Sequence, residues 1–485
     1  MLPADFTPLA DLVAQHARFR GAHAALIDGE RRFTWAEVDA LVTRAAAAFI
    51  REGLGRGDVV AICAAATAEY LLLWLGALRA GIAVAPIAPS TTPEARAAMV
   101  ADSGAAITFD DTALAAFDGW IAREGVVAPR TEIRPADPFN LIYSSGTTGT
   151  PKGIVQPHGM RWAHIQRGLA QGYGRDAITL VSTPLYSNTT LVSVFPTLGL
   201  GGTIVLLPKF APEAFLELSE RHGVTHAMLV PVQYRRLMAD PGFGRHDLSS
   251  YRAKFCTSAP FAPELKAEVL ARWPGGLTEY YGMTEGGGTC ILRCHERPDK
   301  LATVGQPAAG SDIRLIDDEG RELPPGATGE VVGRSPAMMV GYHNRAEATA
   351  AAEWYDPTGL RFIRTGDVGR FDEDGFLALV DRKKDMIISG GFNIYPSDLE
   401  AVLARHPQVI DAAVVAARSD RWGETPAAFV VARRGAEAQE IRDWANARLG
   451  SMQRLAAVTL VDVLPRSEIG KVLKRELAAR APRVP

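Results

Sequence analysis

A chain of 485 residues, at roughly 100–200 residues per domain, holds about three folding units and is no small binding module. Hydrophobic residues make up 47% and charged residues 22%, which excludes intrinsic disorder and collagen-like repetition. Lys and Arg total 52 against 55 Asp and Glu, a net charge of −3, so no field gathers nucleic acid or an anionic membrane and any bound phosphate must be held by local geometry.

In chain order, Met1 to Arg20 carries Asp5, Pro8 and Asp11 without an apolar run, so no signal peptide is expected. Thr34 opens a helical pattern through Val38, Leu41, Val42 and Phe49 that ends at Glu52, and Gly53 to Gly57 turns into a short strand, Val59 to Cys63. A second helix, Glu69 to Ala80, stops at Gly81 before the strand-like Ile82 to Ile87. This alternation predicts layered α/β architecture. The uncharged run Ser187 to Pro208 is long enough to span a bilayer, yet Pro196, Gly199, Gly201 and Gly202 break it into a helix, a turn and a buried strand. No membrane insertion is expected. From about Val304 the texture becomes β-rich: Ile313 to Ile316, the turn Asp317 to Gly320, Gly329 to Val332, and Phe371 followed by the turn Asp372 to Gly375. A small α+β domain follows the polar stretch Asp381 to Asp385, with Ser397 as the cap of a helix through Leu403, strands at Val409 to Ala417 and Ala427 to Val431, and a helix from Ala438 to Leu449. The expected fold is therefore α/β with α+β, divided into residues 1–381 and a mobile 382–485. Four cysteines are too few for a disulfide framework and suit a reducing, cytoplasmic compartment. Cys290, Cys294 and His295 hint at a metal, but no CxxC pair exists.

Four segments carry chemistry. Leu141 to Gly153 runs from an apolar start into Ser144-Ser145-Gly146-Thr147-Thr148-Gly149-Thr150-Pro151-Lys152, where glycines allow close backbone approach, hydroxyls donate and the lysine supplies charge, all suited to a polyphosphate. It is not a Walker loop, and a plain surface loop is the alternative. Tyr281-Gly282-Met283-Thr284-Glu285 sets a hydroxyl beside a carboxylate, as a site for Mg²⁺ against a phosphate would. Arg364-Thr365-Gly366-Asp367 ends a strand on an acid able to accept from ribose hydroxyls. Lys471 follows Gly470 near the C-terminus. Taken singly, Glu285 is equally a solvated acid, Asp367 a turn former and Lys471 a surface charge.

In this order, over essentially the whole length, the motifs resemble those of the adenylate-forming superfamily: acyl-CoA synthetases, adenylation domains and beetle luciferases. The likeness takes in the phosphate loop at Ser144 to Gly153, Tyr281 to Glu285, Thr365 to Asp367, the hinge Asp381 to Asp385, the Ser389-Gly390-Gly391 turn and Gly470-Lys471. The resemblance implies an ATP-dependent acid–CoA ligase whose cofactors are ATP, Mg²⁺ and coenzyme A. A carboxylate attacks the α-phosphate, pyrophosphate leaves, and a thiol displaces AMP. It further implies that Thr147, Thr148 and Lys152 hold the β- and γ-phosphates, Thr284 touches the α-phosphate, Glu285 ligates Mg²⁺, and Ser258-Ala259-Pro260 with Tyr281 flank the adenine. Asp367 takes the ribose hydroxyls with help from Arg382, and Lys471 is the catalytic lysine. Lys384 maps to the hinge and Gly390-Gly391 to the pantetheine tunnel, a solvated charge and an ordinary turn being the plainer readings.

One departure stands out. Pro184-Leu185 is followed by Tyr186, Ser187, Asn188, Thr189 and Thr190, without the His of many aryl- and acyl-CoA ligases and without an acid at Ser187 for an amino-acid ammonium. Ser187 or Asn188 could simply cap the next helix. If the polar cluster Ser187, Asn188, Thr189 and Thr190, with Tyr186 before it, faces the acyl pocket, a short or compact, hydroxylated acid fits better than a long fatty acid. Loading of a carrier protein, and an inactive nucleotide-binding regulator, remain the alternatives. A homodimer stays open.

Overall fold

The computed structural model describes residues 2–127, 131–144, 152–389, 392–420, 422–450, 453–467 and 470–484. It forms two compact units: residues 1–313 with 333–363, and residues 314–332 with 364–485. The chain crosses between them within the strands Asp312–Ile316, Thr328–Arg334 and Arg361–Phe371.

The first unit is built on two sheets. The nine-stranded sheet runs Gln306–Pro307, Cys290–Arg293, Gly276–Tyr281, Ala253–Cys256, His226–Leu229, Ile178–Val181, Thr203–Leu206, Ala24–Asp28, Arg31–Thr34. From Gly276–Tyr281 to Ala24–Asp28 its neighbours are parallel, as strands joined through crossover helices must be. The six-stranded sheet runs Gly341–Tyr342, Lys152–Pro157, Pro138–Ser144, Ala83–Pro86, Val59–Cys63, Ile107–Asp110. One apolar core serves both sheets, with Trp35, Phe49, Trp74, Phe139 and Phe195 all fully buried.

Local chemistry explains the helices that flank these sheets. Trp35–Arg51 starts at Thr34, whose hydroxyl accepts from the Glu37 N–H while the Glu37 carboxylate accepts from the Thr34 N–H, a reciprocal cap. It buries Val38, Val42 and Phe49 as the sequence spacing predicts. Ala68–Arg79 is buried along almost its whole length. The uncharged run resolves into the helix Asn188–Gly199 and the strand Thr203–Leu206. Among the described residues no helix is long and apolar enough to cross a membrane.

The second unit carries the strand pair Arg361–Phe371 and Leu377–Arg382 and a five-stranded sheet in which Phe392–Ile394, Ile387–Ser389, Gly423–Ala432 and Val409–Ser419 are successive neighbours and Ala457–Leu460 joins Gly423–Ala432. Its core is Ile387, Leu399, Leu403, Val414, Val430 and Ile441. Two local details differ from the sequence reading. Ser397 does not cap its helix: Pro396–Leu403 begins one residue earlier with proline at its first position, where proline is pre-organised, and the Asp381 carboxylate accepts from the Ser397 N–H at 2.9 Å. Asp367 does not end its strand. Gly366 takes a positive φ of 70° and the pairing slips between Val368 and Gly369, so the strand absorbs the irregularity and continues to Phe371.

Candidate active site

Expectations for Ser145, Gly146, Thr147, Thr148, Gly149, Gly390 and Gly391 concern positions outside the described residues, and of Ser144 only the backbone is described. The strands that lead into and out of the phosphate loop pair antiparallel, Ser144 opposite Lys152 and Tyr143 opposite Gly153. Lys152 thus stands at the loop's exit, its Nζ 5.1 Å from the centre of the Tyr342 ring. Tyr342 lies on Gly341–Tyr342, which pairs with the Lys152 strand. Its hydroxyl donates to Oε1 of Glu285 at 2.8 Å. Burial and the Glu285 charge both raise the Tyr342 pKa, so the phenol keeps its proton and serves as a donor. The sequence reading missed Tyr342. Its only signal was an aromatic in a short run between glycine and polar residues, Gly341-Tyr342-His343-Asn344.

Thr284 and Glu285 form a turn just beyond the strand Gly276–Tyr281, at the carboxyl side of the parallel strands where open α/β sheets bind ligands. Glu285 is 9% exposed, and its carbonyl accepts from the Met339 N–H at 2.8 Å. Gly286 must follow it: φ is +80°, and a Cβ there would lie 2.0 Å from the Ala337 carbonyl oxygen. The Thr284 carbonyl accepts from Nε2 of Gln156 at 2.6 Å. Under the strand that ends at Tyr281, Glu279 and Lys266 form a buried ion pair at 2.5 Å, and Lys266 also donates to the Leu301 and Thr303 carbonyls.

Ser258, Ala259 and Pro260 follow the neighbouring parallel strand Ala253–Cys256. Ser258 holds φ at +82°, a region costly for a residue with a Cβ, and its hydroxyl pairs with that of Thr189. This contact ties the loop to the helix Asn188–Gly199. Ser187 occupies the position before that helix without a side-chain cap. The Asn188 amide oxygen accepts from Gln156 at 3.4 Å, and the Thr190 hydroxyl donates to the Pro184 carbonyl and pairs with the Thr183 hydroxyl. Three of the polar groups expected to await a substrate are therefore partnered within the protein. The Tyr186 hydroxyl is buried with no partner among the described residues.

The second unit gathers the other motifs. Asp367 and Arg382 face each other across the strand pair, Nε donating to Oδ1 at 2.8 Å. The Thr365 hydroxyl accepts from the Asp367 N–H at 3.0 Å and donates to the Val331 carbonyl at 2.8 Å, anchoring the motif. Lys383 pairs with Asp318 and Glu330, while Lys384, in the same turn Lys383–Asp385, pairs with neither. Lys471 sits on a tight turn: the Gly470 N–H donates to the Ser467 carbonyl, the Ser467 N–H to the Lys471 carbonyl, and Arg466 clasps the Gly470 carbonyl at 2.6 Å. Gly470 supplies a φ of +78°. Desolvation first, then the cations of Arg382 and Lys384, lower the Lys471 pKa, while Asp367 and Asp385 oppose the shift. Lys471, Asp367, Arg382 and Lys384 thus share one electrostatic neighbourhood.

Cys290 and Cys294 are buried thiols, and His295 directs Nδ1 at the Leu277 carbonyl, 3.0 Å away.

Comparison with known proteins matches the chain to a family. Residues 13–343 match the AMP-binding enzymes and residues 398–471 the AMP-binding enzyme C-terminal domain. The chain is 33% identical to 4-coumarate–CoA ligase 5 of Oryza sativa subsp. japonica, across 98% of this chain and 95% of the relative. It is 34% identical to a feruloyl-CoA synthase of an Amycolatopsis species, across 96% and 97%. Its fold superposes on o-succinylbenzoate CoA synthetase from Bacillus subtilis in complex with the acyl-adenylate intermediate, with a TM-score of 0.86 and 27% identity over 96% of this chain and 97% of that one. The same synthetase in complex with ATP and a magnesium ion gives a TM-score of 0.85. The chain belongs to the AMP-binding enzymes, the adenylate-forming superfamily, and is one of its AMP-forming acyl-CoA synthetases.

Proposed function

We propose that this enzyme joins a compact carboxylic acid to CoA through an acyl adenylate. The carboxylate attacks the α-phosphorus of MgATP and pyrophosphate leaves; the CoA thiol then attacks the acyl carbon and AMP leaves. The placement of Lys471 at a hydrogen-bonded turn, within electrostatic reach of Asp367 and Arg382, carries this reading, because the ribose and the α-phosphate it would serve are adjacent parts of one nucleotide. Lys471 neutralises charge as the pentavalent phosphorus forms, Asp367 accepts from the ribose hydroxyls, and Arg382 orients Asp367. Thr284 contacts the α-phosphate. Lys152 acts with Ser144 to Gly149 on the β- and γ-phosphates, and Ser258, Ala259, Pro260 and Tyr281 flank the adenine.

The residues suit Mg²⁺ carried in with ATP. Glu285 offers a hard carboxylate with one oxygen engaged by Tyr342, and Mg²⁺ is commonly held by one or two carboxylates together with substrate phosphates. When bound, the ion offsets phosphate charge.

The orphaned Tyr186 hydroxyl favours an acid bearing an oxygen function, because a buried hydroxyl left without a partner costs about 1–3 kcal/mol. The coumarate and ferulate in the relatives' names are acids of that kind. The division at residues 381 and 382, with Lys384 as pivot and Gly390-Gly391 at the pantetheine tunnel, accounts for two half-reactions in one site; the enzyme acts in the cytoplasm. Lys384→Pro, which locks φ, is expected to slow thioester formation more than adenylation. Normal rates for both steps would remove Lys384 from the hinge role.

A panel of short acids, hydroxycinnamates, benzoates and fatty acids, assayed with CoA or a phosphopantetheinylated carrier protein, tests the reading. The expected products are AMP, pyrophosphate and an acyl-CoA, with kcat/KM highest for a compact oxygenated acid. A maximum at palmitate length would overturn the substrate class, and transfer only to the carrier would overturn CoA as acceptor.

A further inference from the structure

In the core of the first unit lies a guanidinium with no carboxylate partner among the described residues. Arg161, on the helix His158–Ala170, is 1% exposed. Each acceptor it meets is neutral. Oδ1 of Asn140 accepts from Nε at 3.0 Å and from Nη2 at 2.9 Å, Oε1 of Gln156 accepts from Nη2, and Nδ1 of His164 lies 3.5 Å from Nη1. The rings of Phe139 and Phe195 lie 5.8 and 5.4 Å from the guanidinium carbon. Burying a cation without a counter-charge is destabilising, so this group's contribution lies in what it orients.

A guanidinium only donates, which fixes both amides. Oδ1 of Asn140 and Oε1 of Gln156 must face Arg161, and Nδ2 of Asn140 then donates to the same Gln156 oxygen at 2.9 Å. Both N–H bonds of Gln156 are thereby directed away from Arg161. Nε2 donates to the Thr284 carbonyl at 2.6 Å and approaches Oδ1 of Asn188 at 3.4 Å. These acceptors lie 128 and 32 residues along the chain from Gln156. One belongs to the Thr284–Glu285 turn and the other is the first residue of the helix Asn188–Gly199.

We propose that Arg161, Asn140 and Gln156 form a positioning relay that holds the Thr284–Glu285 turn and the start of the Asn188 helix in fixed register, which makes Gln156 a positioning residue for adenylation. The proposal rests on the acid-ligase reading for its rate effect, and on geometry alone for its effect on nucleotide binding. The relay acts by donor direction: Gln156 must accept on one side and donate on the other.

Gln156→Glu separates this role from a structural one. The carboxylate keeps one acceptor oxygen toward both Arg161 and Asn140 and gives Arg161 a counter-charge, but the oxygen that replaces Nε2 cannot donate to Thr284 or Asn188. The expected result is a thermal midpoint equal to or above wild type, MgATP affinity measured by calorimetry without any acid weakened severalfold, and acid-dependent pyrophosphate release slowed roughly tenfold or more, since small misplacements of reacting groups cost up to about a hundredfold. Gln156→Met, which also lacks the donor, is expected to show the same loss of MgATP affinity at a lower thermal midpoint. Wild-type MgATP affinity in a folded Gln156→Glu or Gln156→Met protein would overturn the relay, as would losses that simply track the thermal midpoint. The calorimetric arm needs no acid, so a wild-type enzyme that binds MgATP but activates no acid would refute the ligase reading and leave the relay to be judged on binding.

Discussion

Replacing Lys471 with alanine is expected to slow acyl-adenylate formation by roughly 10²-fold or more, the scale on which single electrostatic groups stabilise a transition state, while thioester formation from supplied acyl adenylate stays near wild type. The asymmetry follows from chemistry. Negative charge accumulates at the α-phosphorus only in the first half-reaction, and the second passes through a tetrahedral carbon that has no use for a lysine at the phosphate. Lys471 is held for this task by its turn, through the Ser467 backbone and the Arg466 clasp on Gly470. Since Arg466 also pairs with Asp411 at 2.6 Å, loss of the Lys471 side chain leaves the turn's own bonds in place and the fold intact. The pH profile supplies a second readout. Lys471 acts as the ammonium, so activity is present below its pKa and lost above it. Because desolvation and the neighbouring cations lower that pKa, the alkaline limb of adenylation is expected below the ordinary lysine range. Lys471→Arg, which stays charged, is expected to lose that limb even if its rate is low. Equal loss of both half-reactions in Lys471→Ala would mean that the residue serves the fold or both steps.

Glu285→Gln is expected to reduce adenylation roughly a hundredfold and to raise the Mg²⁺ concentration needed for half-maximal rate. The amide preserves shape and still presents an oxygen to the Tyr342 hydroxyl, which donates to Glu285 at 2.8 Å, so the turn survives while the anionic ligand is lost. Excess Mg²⁺ is expected to recover part of the rate. A variant with a lowered rate at every Mg²⁺ concentration and an unchanged half-saturation point would show that Glu285 acts through the turn and not through the ion.

What could be read from the sequence was what is local in it. Thr34 and the helical spacing of Val38, Val42 and Phe49 announce a helix, and the structure starts that helix after Thr34 and buries all three. Thr284-Glu285, Asp367 and Lys471 stand in short motifs whose order along the chain carries the resemblance that implies their roles. The partners of those motifs are distant in the chain and carry no local signature. Tyr342 reaches Glu285 across 57 residues. Gln156 looks like an ordinary polar residue between Val155 and Pro157, and its meaning emerges only when the fold sets it between Arg161 and Thr284. The helix after Asp381 shows the same limit: Ser397 has the chemistry of a cap, but Asp381, 16 residues earlier, supplies the carboxylate. Ser187 to Thr190 show the limit from the other side. Their polarity suggested open valences for a substrate, whereas Asn188, Thr189 and Thr190 are engaged by Gln156, Ser258, Thr183 and Pro184. The neighbouring Tyr186 hydroxyl is buried with no partner among the described residues.

The phosphorus at which the carboxylate attacks ATP decides the roles of Thr284, Glu285 and Lys471, and an isotope label reads it directly. An accepted acid labelled with ¹⁸O in both carboxylate oxygens is incubated with the enzyme, MgATP and CoA, and the nucleotide and phosphate products are analysed by mass spectrometry. Attack at the α-phosphorus predicts AMP carrying one ¹⁸O and unlabelled pyrophosphate, because the acyl C–O bond breaks when the thiol displaces AMP. Label in inorganic phosphate accompanied by ADP would place the attack at the γ-phosphorus and contradict the roles given to Thr284, Glu285 and Lys471.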